Sequence, residues 1–373
     1  MNSKDFITQS KENKKYQNNK KRGVGNCTSY CYNRAMRKII CLLSVCILIV
    51  LSFSLVACEN RAKNKDREFT VSEKAQAIIE YLGNAKGHYV VSGQQESTWI
   101  SEDYEFEYIY EKAGKYPAIR GLDYINDDFE GVNKRALIWW NRGGLVTICW
   151  HTGKNFSGGY NDCKDDVVEN WDKLFEEGSD ENKALIAGMD KAAQALKELQ
   201  DKGVVVLWRP FHEFDGDWFW WSKGGAENFI KLWNTMWDRY NTYWHLDNLI
   251  WVLGYSHMGF DWEEEKKDAG DDVLDWFPGH DKCDIVGADS YVPTKHQKLN
   301  KIINKKVNKE ANKPTCYHEC GENPTVNELQ ITSWSYFMTW HTEYLIDRNS
   351  DEALSALYTS YYVITLDELP KFN

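Results

Sequence analysis

Proline is scarce in this chain, 7 in 373 residues, and no Ser-, Pro- or Gly-rich stretch divides one part from another. One domain is therefore expected rather than two joined by a linker. A phosphate-cradling glycine loop of the P-loop type is also missing, and so is the second histidine that would extend His212-Glu213 into an H-E-x-x-H zinc motif. Cys316-x-x-x-Cys320, with His318 between, has no second Cys/His cluster to complete four ligands. No metal and no cofactor are expected. Long apolar runs are confined to one, Ile39–Ala57.

Charge narrows the partners further. The net charge is −11, but residues 1–57 hold ten Lys/Arg against two Asp/Glu. That surplus of eight leaves −19 for residues 58–373, a field that repels nucleic acid and is indifferent to a neutral ligand.

Residues 1–57 read as an address. Arg34, Arg37 and Lys38 precede the apolar run, which ends Leu55-Val56-Ala57-Cys58. A positive region, an apolar region and a small residue before the cut make a signal peptide. Leu-x-Ala-Cys resembles a bacterial lipobox, which implies lipidation of Cys58 and attachment to the outer face of the cell membrane. A transmembrane anchor is the competing reading. Residues 58–70 are a charged tether, and 71–373 the folded domain. Of ten cysteines, five (Cys149, Cys163, Cys283, Cys316, Cys320) fall in that domain. The odd number leaves at least one free.

What is abundant is tryptophan, 17 residues, and the chain is organised around one stretch rich in it. Val204–Trp221 reads V-V-V-L-W-R-P-F-H-E-F-D-G-D-W-F-W-W. Its apolar first half is expected to be a strand buried on both faces, ending near Pro210, which has no N–H to pair. His212 and Glu213 follow, then a wall of aromatic rings. Indoles cover the apolar faces of sugar rings, and a carboxyl group moves protons.

Similar runs recur at 88–95, 117–124, 145–151, 249–255, 284–291, 314–319 and 335–340, giving eight strands with Val204–Glu213. Helical patterns lie between them at 130–141, 183–201, 226–240 and 294–309, with Ser72 capping a first helix and a last one near 351–358. Eight strands alternating with helices predict an α/β fold, the (β/α)8 TIM barrel, whose chemistry sits at the C-terminal strand ends. Those ends carry Gln94-Gln95, Asp123-Tyr124, Trp150-His151, His212-Glu213, Tyr255, Asp289-Tyr291, Glu319 and Trp340.

Glu213 on strand 4 and Glu319 on strand 7 would face each other over the barrel mouth, about 5–5.5 Å apart. One would protonate a leaving oxygen, and the other would attack. Glu322, Asp123 and Asp289 are rivals for the second role. Side-chain alternation places His318 away from the lumen.

R-P-F-H-E-F-D-G-D-W-F-W-W resembles the acid/base motif of glycoside hydrolase family 26, dominated by endo-β-1,4-mannanases. The likeness continues through V-S-G-Q-Q, A-I-R-G-L-D-Y, C-W-H, W-F-P-G-H-D-K-C-D-I-V-G-A-D-S-Y, H-E-C-G and F-M-T-W. The resemblance implies retaining endo-hydrolysis of β-mannan, with Glu213 as acid/base and Glu319 as nucleophile. His212 and Tyr291 would hydrogen-bond Glu319. His151 and Trp171 would line the subsite of the attacked sugar, with Trp340 its floor. Trp218 would stack on the leaving side, and Asp289 would bind hydroxyls or be structural. A monomer is expected. The same fold would serve a β-1,3:1,4-glucanase, a β-1,3-xylanase or a non-catalytic glycan receptor.

Overall fold

The computed structural model describes residues 69–256, 273–309 and 311–373. The extension, the signal and Cys58 lie outside the described residues. Eight strands run in chain order: β1 Val90–Gln95, β2 Ile119–Asp123, β3 Leu145–Cys149, β4 Val206–Arg209, β5 Leu249–Tyr255, β6 Ile285–Ser290, β7 Thr315–Cys320 and β8 Tyr336–Thr339. All neighbouring pairs are parallel, and β8 pairs with β1 and β1 with β2, so the sheet closes on itself. This is the (β/α)8 TIM barrel. Every residue of seven of these strands is buried, as a barrel filled inside and covered outside requires.

The expected helices form with shifted ends: Phe129–Asn141, Asp180–Asp201, Gly225–Asp238 and His296–Ile302, the last two running on into single wide turns. Tyr104–Ala113 is helical although Y-E-F-E-Y-I-Y alternates with a period of two. Burial of Phe106 and Ile109 against the barrel overrides that pattern. A ninth strand, β9 Val363–Ile364, pairs with Val90 and Val91 at the start of β1, while β2 pairs with β1 only from Gly93 onward. The C-terminal segment thereby fills the lower part of the β1–β2 seam.

Two local departures set up the site. β4 stops at Arg209 rather than reaching Glu213. Phe211 and Glu213 take left-handed φ values of 48° and 54°, each a strain of roughly 1–3 kcal/mol. Two bonds to the β5 end hold this turn: Glu213 N–H donates to Gly254 O at 2.7 Å, and Ser256 N–H to Asp215 Oδ1 at 2.7 Å. The second departure is a bulge in β7. Ala288 pairs with Tyr317 and Asp289 with Glu319, so His318 is the extra residue. A bulge re-aims the side chains after it.

The aromatic run also splits. Trp220 and Trp221 are fully buried, their indole N–H groups donating to the carbonyls of Thr152 and His212. Only Trp218 and Phe219 of the expected wall reach the barrel mouth. The five domain cysteines are buried and free.

Candidate active site

A cleft of about 620 Å³ lies over the C-terminal strand ends. His151, His212, Glu213, Trp218, Asp289, Tyr291, Glu319 and Trp340 line it. Trp171 does not. Its ring stacks on Phe175 and Trp220 and lies where a Cβ on Gly224 would be. The expectation for Trp171 is corrected: a Trp at the start of the short helix Trp171–Phe175 serves as packing.

Glu213, Asp289 and Glu319 each place a carboxylate oxygen within 4.8 Å of the others. Around Glu319 the supporting groups are clear. Tyr291 Oη donates to Oε2 at 2.9 Å, and Arg209 Nη1 stands 2.6 Å from Oε1. His212 Nε2 is 3.5 Å from the same oxygen, a close approach but too long for a firm bond. The role expected of His212 passes largely to Arg209, which is 1% exposed.

His318 does not point away. Burial and Arg209 hold its imidazole well below the ordinary range, so the ring is neutral. Nδ1 accepts from Arg209 Nη1 at 3.2 Å, which makes Nε2 the donor to Tyr255 O at 3.1 Å. The bulge lets His318 and Glu319 meet the same guanidinium despite being consecutive. Gly254 makes room, since a Cβ there would come within 2.7 Å of His318 Nε2.

Burial raises the Glu319 carboxyl above its usual range, Arg209 pulls it down, and Glu213 pushes it up again. Burial and then the Glu213 charge raise Asp289 well above its ordinary value. Glu213 Oε2 accepts from the Trp218 indole at 2.8 Å. That bond turns the Trp218 ring across Gly216, where no Cβ would fit.

Asp123 was legible at a strand end, but its task was not. Its Oδ2 is 2.6 Å from His151 Nδ1, and its Oδ1 accepts from His151 N–H at 3.0 Å. Burial pulls the His151 imidazole down, and the Asp123 carboxylate more than offsets this, leaving it above the ordinary histidine range. Burial pushes Asp123 up, and His151 brings it below the usual carboxylate range. The pair's contribution to stability is therefore lost as pH falls through the Asp123 value and as it rises through the His151 value. Asp123→Asn should drop His151 below the ordinary range, read by NMR titration of its ring protons. A His151 titration that does not move would show that Asp123 is not what holds the charge.

Arg209, Tyr160, Phe219, His341 and Tyr344 also line or support the cleft without having been assigned a role. For Arg209 a signal existed: an arginine closing a fully apolar run must have a buried acceptor.

The family model for glycosyl hydrolase family 26 matches residues 68–368. The chain belongs to glycosyl hydrolase family 26. It is 30% identical over 334 residues to the mannan endo-1,4-beta-mannosidase of Thermothelomyces thermophilus, covering 83% of this chain but 64% of that relative, less than two thirds of its length. Among solved structures of the family, GH26A from Muricauda sp. MAR_2010_75 superposes with a TM-score of 0.72 at 27% identity, over 80% of this chain and 98% of that one. A beta-mannanase from a symbiotic protist of the termite Reticulitermes speratus, complexed with gluco-manno-oligosaccharide, gives a TM-score of 0.69 at 27% identity, over 81% of this chain and 96% of that one. Residues matched by the family 26 model include every cleft residue named above.

Proposed function

We propose that this family 26 protein is a retaining endo-β-1,4-mannanase acting on mannan and glucomannan by double displacement. The observation that carries the reading is the pairing of Glu213 and Glu319 over one cleft, their nearest oxygens within 4.8 Å. Inverting enzymes need roughly 6.5–9.5 Å to admit a water between the carboxyls, and retaining ones about 5–5.5 Å. The substrate class rests on relatives. The Thermothelomyces protein is a mannan endo-1,4-beta-mannosidase, and the protist enzyme was solved with a gluco-manno-oligosaccharide.

In the first step, a Glu319 carboxylate oxygen bonds to the anomeric carbon as the glycosidic C–O bond breaks. The bonding pair passes to the leaving oxygen, which takes the proton of Glu213. Arg209 and Tyr291 favour the ionised nucleophile. Trp218, bonded to Glu213, offers a ring face to the departing sugar, and Trp340 to the attacked one. In the second step, Glu213 draws a proton from water, whose oxygen displaces Glu319 from the anomeric carbon. Two inversions return the original configuration.

The test compares hydrolysis of mannan, glucomannan, lichenan and β-1,3-xylan, with the product anomer followed by NMR in the first minutes. Mannan and glucomannan should be cut internally, releasing the β-anomer first. Preferential release of products from lichenan or xylan would replace the substrate, and an α-anomer would replace the mechanism.

A further inference from the structure

Trp99, in the loop after β1, lies at the edge of the same cleft with 72% of its surface exposed. A solitary exposed aromatic ring ordinarily needs no explanation, but this one is held in place. Its ring meets His341 edge-on at 4.7 Å, and His341 lies 4.9 Å from Trp340. The backbone on both sides of the contact is strained: Thr98 has φ 62° and Thr342 φ 50°. For β-branched residues such values are outliers that persist only where surroundings impose them.

A buried carboxylate imposes them here. Glu105, 0% exposed, accepts from Ser97 N–H at 3.4 Å on one oxygen and from Thr342 N–H at 3.2 Å on the other. One side chain thus ties the loop carrying Trp99 to the loop carrying His341. The position in the barrel gives the row a direction. β1 and β8 are neighbours, and β4, which leads to Glu213 and Trp218, lies directly opposite β8 and three strands from β1 in the closed order. The aromatic row Trp340–His341–Trp99 therefore lies on the half of the barrel mouth across from β4 and the leaving-group side.

We propose that Trp99 is a platform for a sugar ring of the substrate, two ring-to-ring steps beyond Trp340 on the side away from the departing sugar, and that Glu105 is its positioning residue. The inference rests on the reading of the cleft as an endo-acting β-mannanase site and adds where chain length is sensed. A pyranose laid on the exposed indole gains apolar contact without a new hydrogen bond, so the platform accepts mannose or glucose alike.

The experiment measures kcat and KM of wild type, Trp99→Ala, Trp99→Phe and Glu105→Gln on mannotriose and mannohexaose. Trp99→Ala should lower kcat/KM on mannohexaose by about tenfold, while mannotriose, too short to span from Trp218 to Trp99, barely changes. Trp99→Phe should restore much of the loss. Glu105→Gln should raise KM for mannohexaose and leave kcat in place, a split that general loosening of the fold would not produce. Equal losses on both substrates, or no loss on either, overturn the platform while the mannanase reading stands. A wild-type protein that cleaves neither overturns the mannanase reading, and the platform with it.

Discussion

Replacing Glu319 with alanine should lower mannan hydrolysis by about 10⁴-fold or more, with binding of mannohexaose retained. The expectation follows from where the carboxyl sits. One oxygen is paired with Arg209 at 2.6 Å and the other takes the Tyr291 hydroxyl at 2.9 Å, leaving the group aimed at the space shared with Glu213 and Asp289. Azide added to this variant would occupy the vacated position and attack the same carbon. A glycosyl azide of inverted configuration would identify Glu319 as the nucleophile. Undiminished turnover, or an azide product of retained configuration, would move that role to another carboxyl. Asp289 is the nearest candidate, but burial and Glu213 raise its carboxyl well above the ordinary range, which disfavours the charged form a nucleophile needs.

Arg209→Leu should damage stability and activity together. Arg209 is buried, and it meets Glu319 and His318 at once. Removing one partner of a buried ion pair costs about 3–5 kcal/mol, because the remaining charge stays buried without compensation. Urea unfolding would register this as a lower midpoint. The sign of the pH effect follows from the same contacts. Burial already raises Glu319, and Arg209 is the largest influence lowering it. Without Arg209 the carboxyl rises further, so the acid limb of kcat/KM moves to higher pH, since the proposed nucleophile must be ionised. Arg209→Lys keeps the charge and should recover part of both losses. An acid limb that stays put in Arg209→Leu would show that Glu319 does not depend on this guanidinium.

Much of the barrel was legible because a buried parallel strand has an unmistakable pattern. Each β-branched, apolar run between helical stretches became a strand, with no end moved by more than four residues and Leu249–Tyr255 unchanged. Helix Tyr104–Ala113 was illegible, since its alternation points to a strand and only packing against the barrel makes it otherwise. Within the site, Glu213, Glu319, Tyr291, His151 and Trp340 could be found because polar and aromatic residues at strand ends have no structural reason to cluster. Trp171 misled because a tryptophan in a helical segment looks the same whether it lines a cleft or packs under one. Here it stacks on Trp220.

Chain order alone determined that two glutamates would come from strands three apart around a closed barrel and meet over its mouth, because strand number fixes position around a ring of eight. Side-chain direction was a different matter. Strict alternation would have turned either His318 or Glu319 outward, and the bulge in β7 allows both to reach Arg209. The clamp of Glu105 on two strained loops likewise joins residues 97 and 342 through a buried carboxylate. Such contacts depend on register and backbone strain, which are settled by how strands from distant parts of the chain pack, and no local pattern of residues carries them.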